Sequence, residues 1–275
     1  GVKSGLLSAI LIGDPAKIRE LYGDVCSRDG VTIIEELDAS QACRKAVAVV
    51  REGQADLLMK GMVPTSTVLK AVLNSQTGLK KNPLLSHLTF FERKDQPGIR
   101  ILTDAAINIA PDVEALARIV ENAVEAFRLF VNRPPKVAML AAIEKTSEKV
   151  PSTIAAKAVA EQFAGRKDLI VEGPISLDLA VSEDSARIKK YDGTIHGDAD
   201  ILVVPRIETG NVLYKSLQYY AQVPMGGVVY GARCPVVLTS RSDSNETKFA
   251  SLLLGVLLWQ RALPSIGDRL QEAGS

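Results

Sequence analysis

Short aliphatic and β-branched runs alternate with longer segments of helical periodicity along this chain, and that alternation limits its fold more than any other feature. Ser8 to Gly13 has the pattern of a buried strand, and Asp14-Pro15 then opens a helix, with Asp at the N-cap and Pro at the first helical position. Val31 to Leu37 is a second strand and Ala55 to Met59 a third, with an Ala-rich helix between them that stops at Gly53. Thr65 to Leu73 is helical again. A β-α-β-α rhythm of this kind predicts a largely parallel sheet with helices on both faces.

The rhythm is interrupted once. Ser86 to Glu92 and Ile99 to Thr103 are separated only by Lys94-Asp95-Gln96-Pro97-Gly98, so they are expected to form a hairpin and make the sheet mixed. In the helix of residues 112–131, Val113, Leu116, Ile119, Val120, Ala123 and Phe127 recur at helical spacing. It is long enough to cross between two lobes and marks the expected domain boundary. Further strands are expected at Val137 to Ala141, Leu169 to Val171, Ile201 to Val204, Val223 to Tyr230 and Val236 to Leu238. Helices are expected at Ser152 to Phe163, Val212 to Tyr220 and Asn245 to Arg261.

Composition removes several function classes. Lys and Arg number 33 against 32 Asp and Glu, and aromatics are 5% of the chain, which argues against a nucleic-acid surface. No apolar run approaches the ~18 residues of a membrane span. Cys26, Cys43 and Cys234 show no Cys-x-x-Cys spacing, and two histidines do not make a His-rich metal site, so no metal is expected and the thiols are read as reduced in a cytoplasmic protein. The first residues have no signal-peptide layout; the chain starts at Gly1 without Met, close to the first strand, so a missing or trimmed upstream segment stays open. The P-loop, the dinucleotide fingerprint Gly-x-Gly-x-x-Gly, the Gly-x-Ser-x-Gly elbow and His-Glu-x-x-His are all absent.

What remains are polar clusters at strand ends, where open α/β sheets bind ligands. Thr239-Ser240-Arg241-Ser242-Asp243-Ser244 lies between a strand and the last helix. Two readings stand open there: an anion site in which Arg241 forks onto two oxygens, or a polar N-cap supplied by Asp243 or Ser244. Pro205 to Asn211 contains Gly210, which permits close backbone approach, and Asn211, which could cap a following helix. Lys60-Gly61, Thr103-Asp104 with Asn108, and Glu144-Lys145-Thr146 end three more strands. Each alone reads more simply as a turn than as a site; five together point to a cleft. Asp178 is either a base with a raised pKa or, more simply, a cap or ion-paired carboxylate. His87 reads as a core or hinge histidine, His196 as a loop residue, Arg187, Lys189 and Lys190 as a solvated face, and Met59 and Met139 as core.

Several of these segments resemble the phosphate acetyl/butyryl transferase family. They are Ala55 to Gly61, Leu85-Ser86-His87 with Phe91-Glu92, Thr103 to Asp112, Gly197 to Pro205 with Glu208, Gly210, Asn211 and Lys215, and Val237 to Ser244. In detail they are more similar to the butyryl than to the acetyl branch. Ile143-Glu144-Lys145-Thr146 stands where the acetyl branch has Ser-Thr-Lys-Gly-Ser, and Thr239-Ser240-Arg241-Ser242 where it has Leu-Ser-Arg-Gly.

The resemblance implies a two-lobed α/β fold of the isocitrate/isopropylmalate dehydrogenase type with mixed, mostly parallel sheets. Residues 1–112 and 232–275 would form one lobe, 113–231 the other, with a cleft between. It implies transfer of an acyl group between CoA and inorganic phosphate in a homo-oligomer, a dimer or larger, with CoA and phosphate as substrates and no tightly bound cofactor. Ser240, Arg241 and Asp243 would be catalytic, and Lys60, Gly61, Thr103, Asp104, Lys145, Gly210, Asn211 and Lys215 would contact substrate. The acetyl branch carries an aspartate, taken as base for the CoA thiol, where this chain has Thr247. A water held by Ser240 and Asp243 is the expected acceptor instead, with Glu246 pointing elsewhere. The alternatives are a phosphate acetyltransferase, a decarboxylating dehydrogenase of the same fold, or a non-catalytic acyl-CoA or phosphate-ester binding protein.

Overall fold

The structure, a computed structural model, describes residues 2, 5–93, 95–240 and 242–263. Arg241, first among the expected catalytic residues, lies outside the described residues.

An eight-stranded sheet organises the chain, in the order β3 (Leu58–Met59), β10 (Val236–Val237), β9 (Met225–Tyr230), β4 (Ser86–Glu92), β5 (Ile99–Thr103), β8 (Ile201–Val203), β6 (Lys136–Leu140), β7 (Ile170–Ile175). β1 (Ala9–Gly13) and β2 (Val31–Glu35) pair in parallel as a separate two-stranded sheet, a departure from a single parallel layer. The expected hairpin is present, β4 and β5 being antiparallel with Phe90 opposite Ile101. β5, β8, β6 and β7 run parallel, β9 is antiparallel to both β4 and β10, and β3 is parallel to β10. The carboxyl ends of β3, β10 and β4 therefore leave one edge of the sheet, and those of β9, β5, β8, β6 and β7 leave the other.

Alternation along the strands divides the core. Leu88, Phe90, Ile101, Val137, Met139 and Val203 face a layer built from α4 (Val113–Arg128), α5 (Pro151–Gln162) and α9 (Asn245–Ala262). Phe91, Leu102, Ala138, Leu140 and Val204 face the opposite layer, which contains α6 (Leu177–Val181) and α8 (Ile207–Tyr219). A third apolar cluster joins α2 (Ala39–Arg51) and α3 (Thr65–Val72) to β10 through Cys43, Val47, Val68, Val72 and Val236. Helix starts follow the expected chemistry at Asp14, Asp112 and Ser244, whose side chains accept from Ala16 N, Ala115 N and Thr247 N.

Two helices were not foreseen: α6 and α7 (Glu183–Ile188), each shorter than two turns. α1 spans Pro15–Tyr22. α8 begins five residues before the expected Val212, so Asn211 is an internal helical residue and not a cap. Met59 is exposed, which corrects its reading as core, whereas Met139 is buried.

Candidate active site

Between β10 and α9 the contacts of the described residues centre on Asp243. This carboxylate is buried. One oxygen accepts the Ser240 backbone N–H at 2.7 Å, the other the Gln218 side-chain N–H at 3.2 Å. The Ser240 and Ser242 hydroxyls are 3.0 Å apart, and both residues are exposed. Ser244 caps α9, so of the two cap candidates it is Ser244 that caps while Asp243 ties the turn to α8. Glu246 lies on the exposed first turn of α9, its pKa held down by its own backbone N–H and Ser244. Lys60 follows β3 beside this turn: its backbone N–H bonds Val237 O at 3.0 Å, and its ammonium reaches Gly61 O at 3.2 Å.

The second polar centre is the end of β5. Asp104 is 2% exposed, and four donors converge on it. Oδ1 accepts from Ala106 N at 2.8 Å and Ile107 N at 2.9 Å; Oδ2 accepts from His87 N at 3.0 Å and Asn108 Nδ2 at 2.6 Å. A carboxylate has about four acceptor positions, and all are filled by the protein. Gly210 packs against the same turn: a Cβ there would lie 2.5 Å from Asp104 O, so only glycine lets α8 approach so closely. Asn211 Nδ2 adds a bond to Ala105 O at 3.4 Å. The close approach expected at Gly210 is thus made to the chain's own backbone. Thr103 is fully buried and its hydroxyl has no partner among the described residues.

Between the two centres lies His87, 5% exposed, its ring edge-on to Tyr214 at 6.5 Å and its Nδ1 3.5 Å from Thr89 Oγ1. Burial pushes its pKa down against the opposing pull of Asp104 and Asp243. Burial, and then the neighbouring Asp243 carboxylate, push the Tyr214 phenol up. The core reading of His87 therefore holds, and the ring is neutral at physiological pH. Neither Tyr214 nor Gln218 belongs to any sequence motif. The available signal was spacing: Gly210, Tyr214 and Gln218 recur every four residues and so share one face of α8.

The expected site residues separate by strand end. Ser240, Asp243, Lys60 and Gly61 follow β10 and β3 at one edge; Thr103 ends β5, and Asp104 and Lys145 follow β5 and β6, at the other, where Gly210 and Asn211 pack against the Asp104 turn. Lys145 and Lys215 are exposed. Lys145 sits beside a surface cavity of about 370 Å³ lined by Thr146, Ser147, Glu148 and Lys157. Its neighbour Glu144 accepts from Ser176 Oγ and lies 3.5 Å from Lys189 Nζ. Asp178 pairs with Lys189 at 2.9 Å, and this ammonium and Ser176 hold its pKa down. It is an ion-paired carboxylate and not a base with a raised pKa. No group of acidic, His and Cys side chains among the described residues could hold a metal ion.

Comparison with known proteins converges on one family. Residues 25–256 match the model of the family described as phosphate acetyl/butaryl transferase. The chain is 43% identical over 249 residues to a probable phosphate butyryltransferase of Bacillus subtilis (strain 168), covering 90% of this chain and 83% of that one. It is 39% identical to a phosphate acetyltransferase of Rhizobium meliloti, covering 92% and 81%. Among solved structures, a branched-chain phosphotransacylase from Enterococcus faecalis V583 superposes with a TM-score of 0.80 at 38% identity, covering 92% of this chain and 99% of that one. A 4-hydroxythreonine-4-phosphate dehydrogenase from Klebsiella pneumoniae shares the fold alone, at 12% identity and a TM-score of 0.54 over 91% and 90% of the two chains.

Proposed function

The chain belongs to the phosphate acetyl/butyryl transferase family, and on that premise we propose how it works as a phosphate acyltransferase, converting acyl-CoA and phosphate into acyl phosphate and CoA. The fold is the family's dehydrogenase-type α/β fold.

The observation that carries the site assignment is the β10–α9 turn, where a buried carboxylate fixes the Ser240 backbone next to two exposed hydroxyls. We assign phosphate to this turn, with Arg241 forked onto two of its oxygens and Ser240 donating to phosphate or to the tetrahedral oxygen. A phosphate oxygen attacks the thioester carbonyl; the new C–O bond forms, the C–S bond breaks, and the thiolate leaves to be protonated. In reverse, CoA gives its thiol proton to a water held by Ser240 and Asp243. Holding both substrates in attack geometry supplies much of the acceleration. Transfer is direct in a ternary complex. Two of the three cysteines support this: Cys43 and Cys234 are buried, and burial pushes the Cys234 thiol up to about 12, far from the thiolate a nucleophile requires.

Lys60, Gly61, Thr103, Asp104, Lys145, Gly210, Asn211 and Lys215 complete the proposed substrate set. In our reading Asp104 and Gly210 act by shaping the β5 turn, because the carboxylate's acceptor positions are already occupied. We propose lobes of 1–112 with 232–275 and of 113–231. One continuous sheet joins the two parts: β5 of the first pairs with β8 of the second, and α4 packs on both. We propose a butyryl-type acyl preference; the 43% identical butyryl relative supports it, and the acetyl relative defines the alternative. CoA and phosphate act as substrates, and we propose no tightly held cofactor, no nucleic-acid or membrane partner, a cytoplasmic location and a homo-oligomer. No described helix is long and apolar enough to cross a membrane. The test is CoA release from acyl-CoA and phosphate across acyl chain lengths. Phosphate-dependent release that peaks at four carbons supports the reading; a peak at two carbons makes it an acetyltransferase; no release with any acyl-CoA leaves a binding protein.

A further inference from the structure

We propose that Gln218, on α8, is a positioning residue for the phosphate-holding turn, acting through Asp243. The inference rests on the reading of that turn as the phosphate site. Gln218 Nε2 lies 3.2 Å from Asp243 Oδ1, and Asp243 Oδ2 lies 2.7 Å from Ser240 N. An ionised carboxylate only accepts, so the amide must present its NH₂ group to Asp243, and the orientation of the side chain is fixed by chemistry. The other end of the amide is not held: Gln218 Oε1 is buried with no partner among the described residues. A side chain that buries an unpaired carbonyl while aiming its donor at a carboxylate is retained for the donor, since an apolar residue of the same size would avoid the unpaired oxygen.

The chain of contacts runs Gln218 NH₂, Asp243 carboxylate, Ser240 N–H, and it aims the Ser240 N–H and hydroxyl. Tyr214, one turn earlier on the same face, lies beside Asp243 and packs on His87. The first turn of α8 is seated on the Asp104 turn through Gly210 and Asn211. Gln218 thus transmits the placement of α8 to the phosphate turn. Removing its donor takes one of the groups that hold the Asp243 carboxylate, leaving the Ser240 N–H and the Tyr214 phenol, so the acceptor of the Ser240 N–H is less firmly fixed.

Gln218→Met keeps the volume and removes the donor. In the phosphate-dependent direction it is expected to raise KM for inorganic phosphate by roughly 5–20-fold, a part of the ~10–150-fold that one charge-assisted bond is worth, because Gln218 acts through Asp243. KM for acyl-CoA and the melting temperature stay near wild type. The double variant with Asp243→Asn is expected to be no worse than Asp243→Asn alone, because both act through one carboxylate. An unchanged phosphate KM overturns the proposal. So do both KM values rising together with a lower melting temperature, or additive losses in the double variant. Should Asp243→Asn not fold, the split between the phosphate and acyl-CoA KM values of Gln218→Met alone decides. Arg241→Ala separates the two readings. If it is impaired while Gln218→Met is silent, only this inference fails; if Arg241→Ala is itself silent, the phosphate assignment fails and takes the inference with it.

Discussion

Asp104→Asn is a near-isosteric change with a large expected cost. In the native turn each oxygen of Asp104 receives two donors, and the residue is almost wholly buried. An asparagine keeps one oxygen, which can serve Ala106 N and Ile107 N. Its NH₂ then faces His87 N and Asn108 Nδ2, both donors. The His87 N–H belongs to the β4 backbone and cannot turn away. Asn108 could rotate its amide to offer oxygen, but its NH₂ also holds Leu85 O at 2.8 Å, and that bond would be lost. Two unmatched donors at ~1–3 kcal/mol each give a loss of ~2–6 kcal/mol. That is a large share of a net stability of ~5–15 kcal/mol. At ~2–4 °C per kcal/mol for a chain of this size, the melting temperature should fall by roughly 5–20 °C in calorimetry. A shift under ~2 °C would show that the turn does not depend on these four bonds.

Further outcomes follow from the same contacts. Arg241→Ala should lower turnover by ~10²–10³, the scale for removing a charge-stabilising donor, and Arg241→Lys should also be poor because an ammonium cannot make the two-point fork; wild-type kinetics in both would remove Arg241 from the reaction. Replacing Cys26, Cys43 and Cys234 together by Ala or Ser should leave turnover largely intact, and an acyl group found on a cysteine by intact-protein mass spectrometry would refute direct transfer. His87 is pushed below its ordinary value, so below pH ~6.5 the unfolded chain takes up a proton that the folded one refuses, and stability falls with pH by up to ~1.4 kcal/mol per unit. Denaturant titrations of the wild type and His87→Gln at pH 7.5 and 5.5 should show a shallower loss in the variant; equal losses refute it. Asp243→Asn should cut the rate of thiol-dependent turnover while Glu246→Gln should not, and the reverse pattern would move the proton acceptor to the start of α9.

Several elements were legible in the sequence for reasons the structure makes plain. The β4–β5 hairpin shows in the short polar link between its two strands, α4 carries its apolar residues at helical period, and α9 starts at its Ser244 cap. α6 and α7 were missed because helices of five and six residues leave no periodic signal. α8 was placed late because Gly210 in its first turn looks like a breaker, and because Arg206 makes no side-chain cap bond to mark the start. In the site, the polar strand ends were visible one by one, but their division between the two edges of the sheet follows from strand direction, which no single segment encodes. The sequence presents Asp104 as a lone polar residue after a strand and does not display its four partners. The Gln218–Asp243 bond joins residues on different elements, so motif reading could not reach it.

The way α8 is held at both ends limits how the gene can vary in length. Gly210 is locked onto Asp104 and Gln218 onto Asp243, eight positions apart on one helical face. Each inserted or deleted residue between them would rotate the far end by ~100° and shift it by ~1.5 Å. A single-codon insertion there would carry Gln218 off its carboxylate while leaving composition and hydropathy almost unchanged. Length changes in this part of the chain should therefore be accepted beyond Tyr219, in the connection to β9, where Tyr220 to Gln222 are exposed.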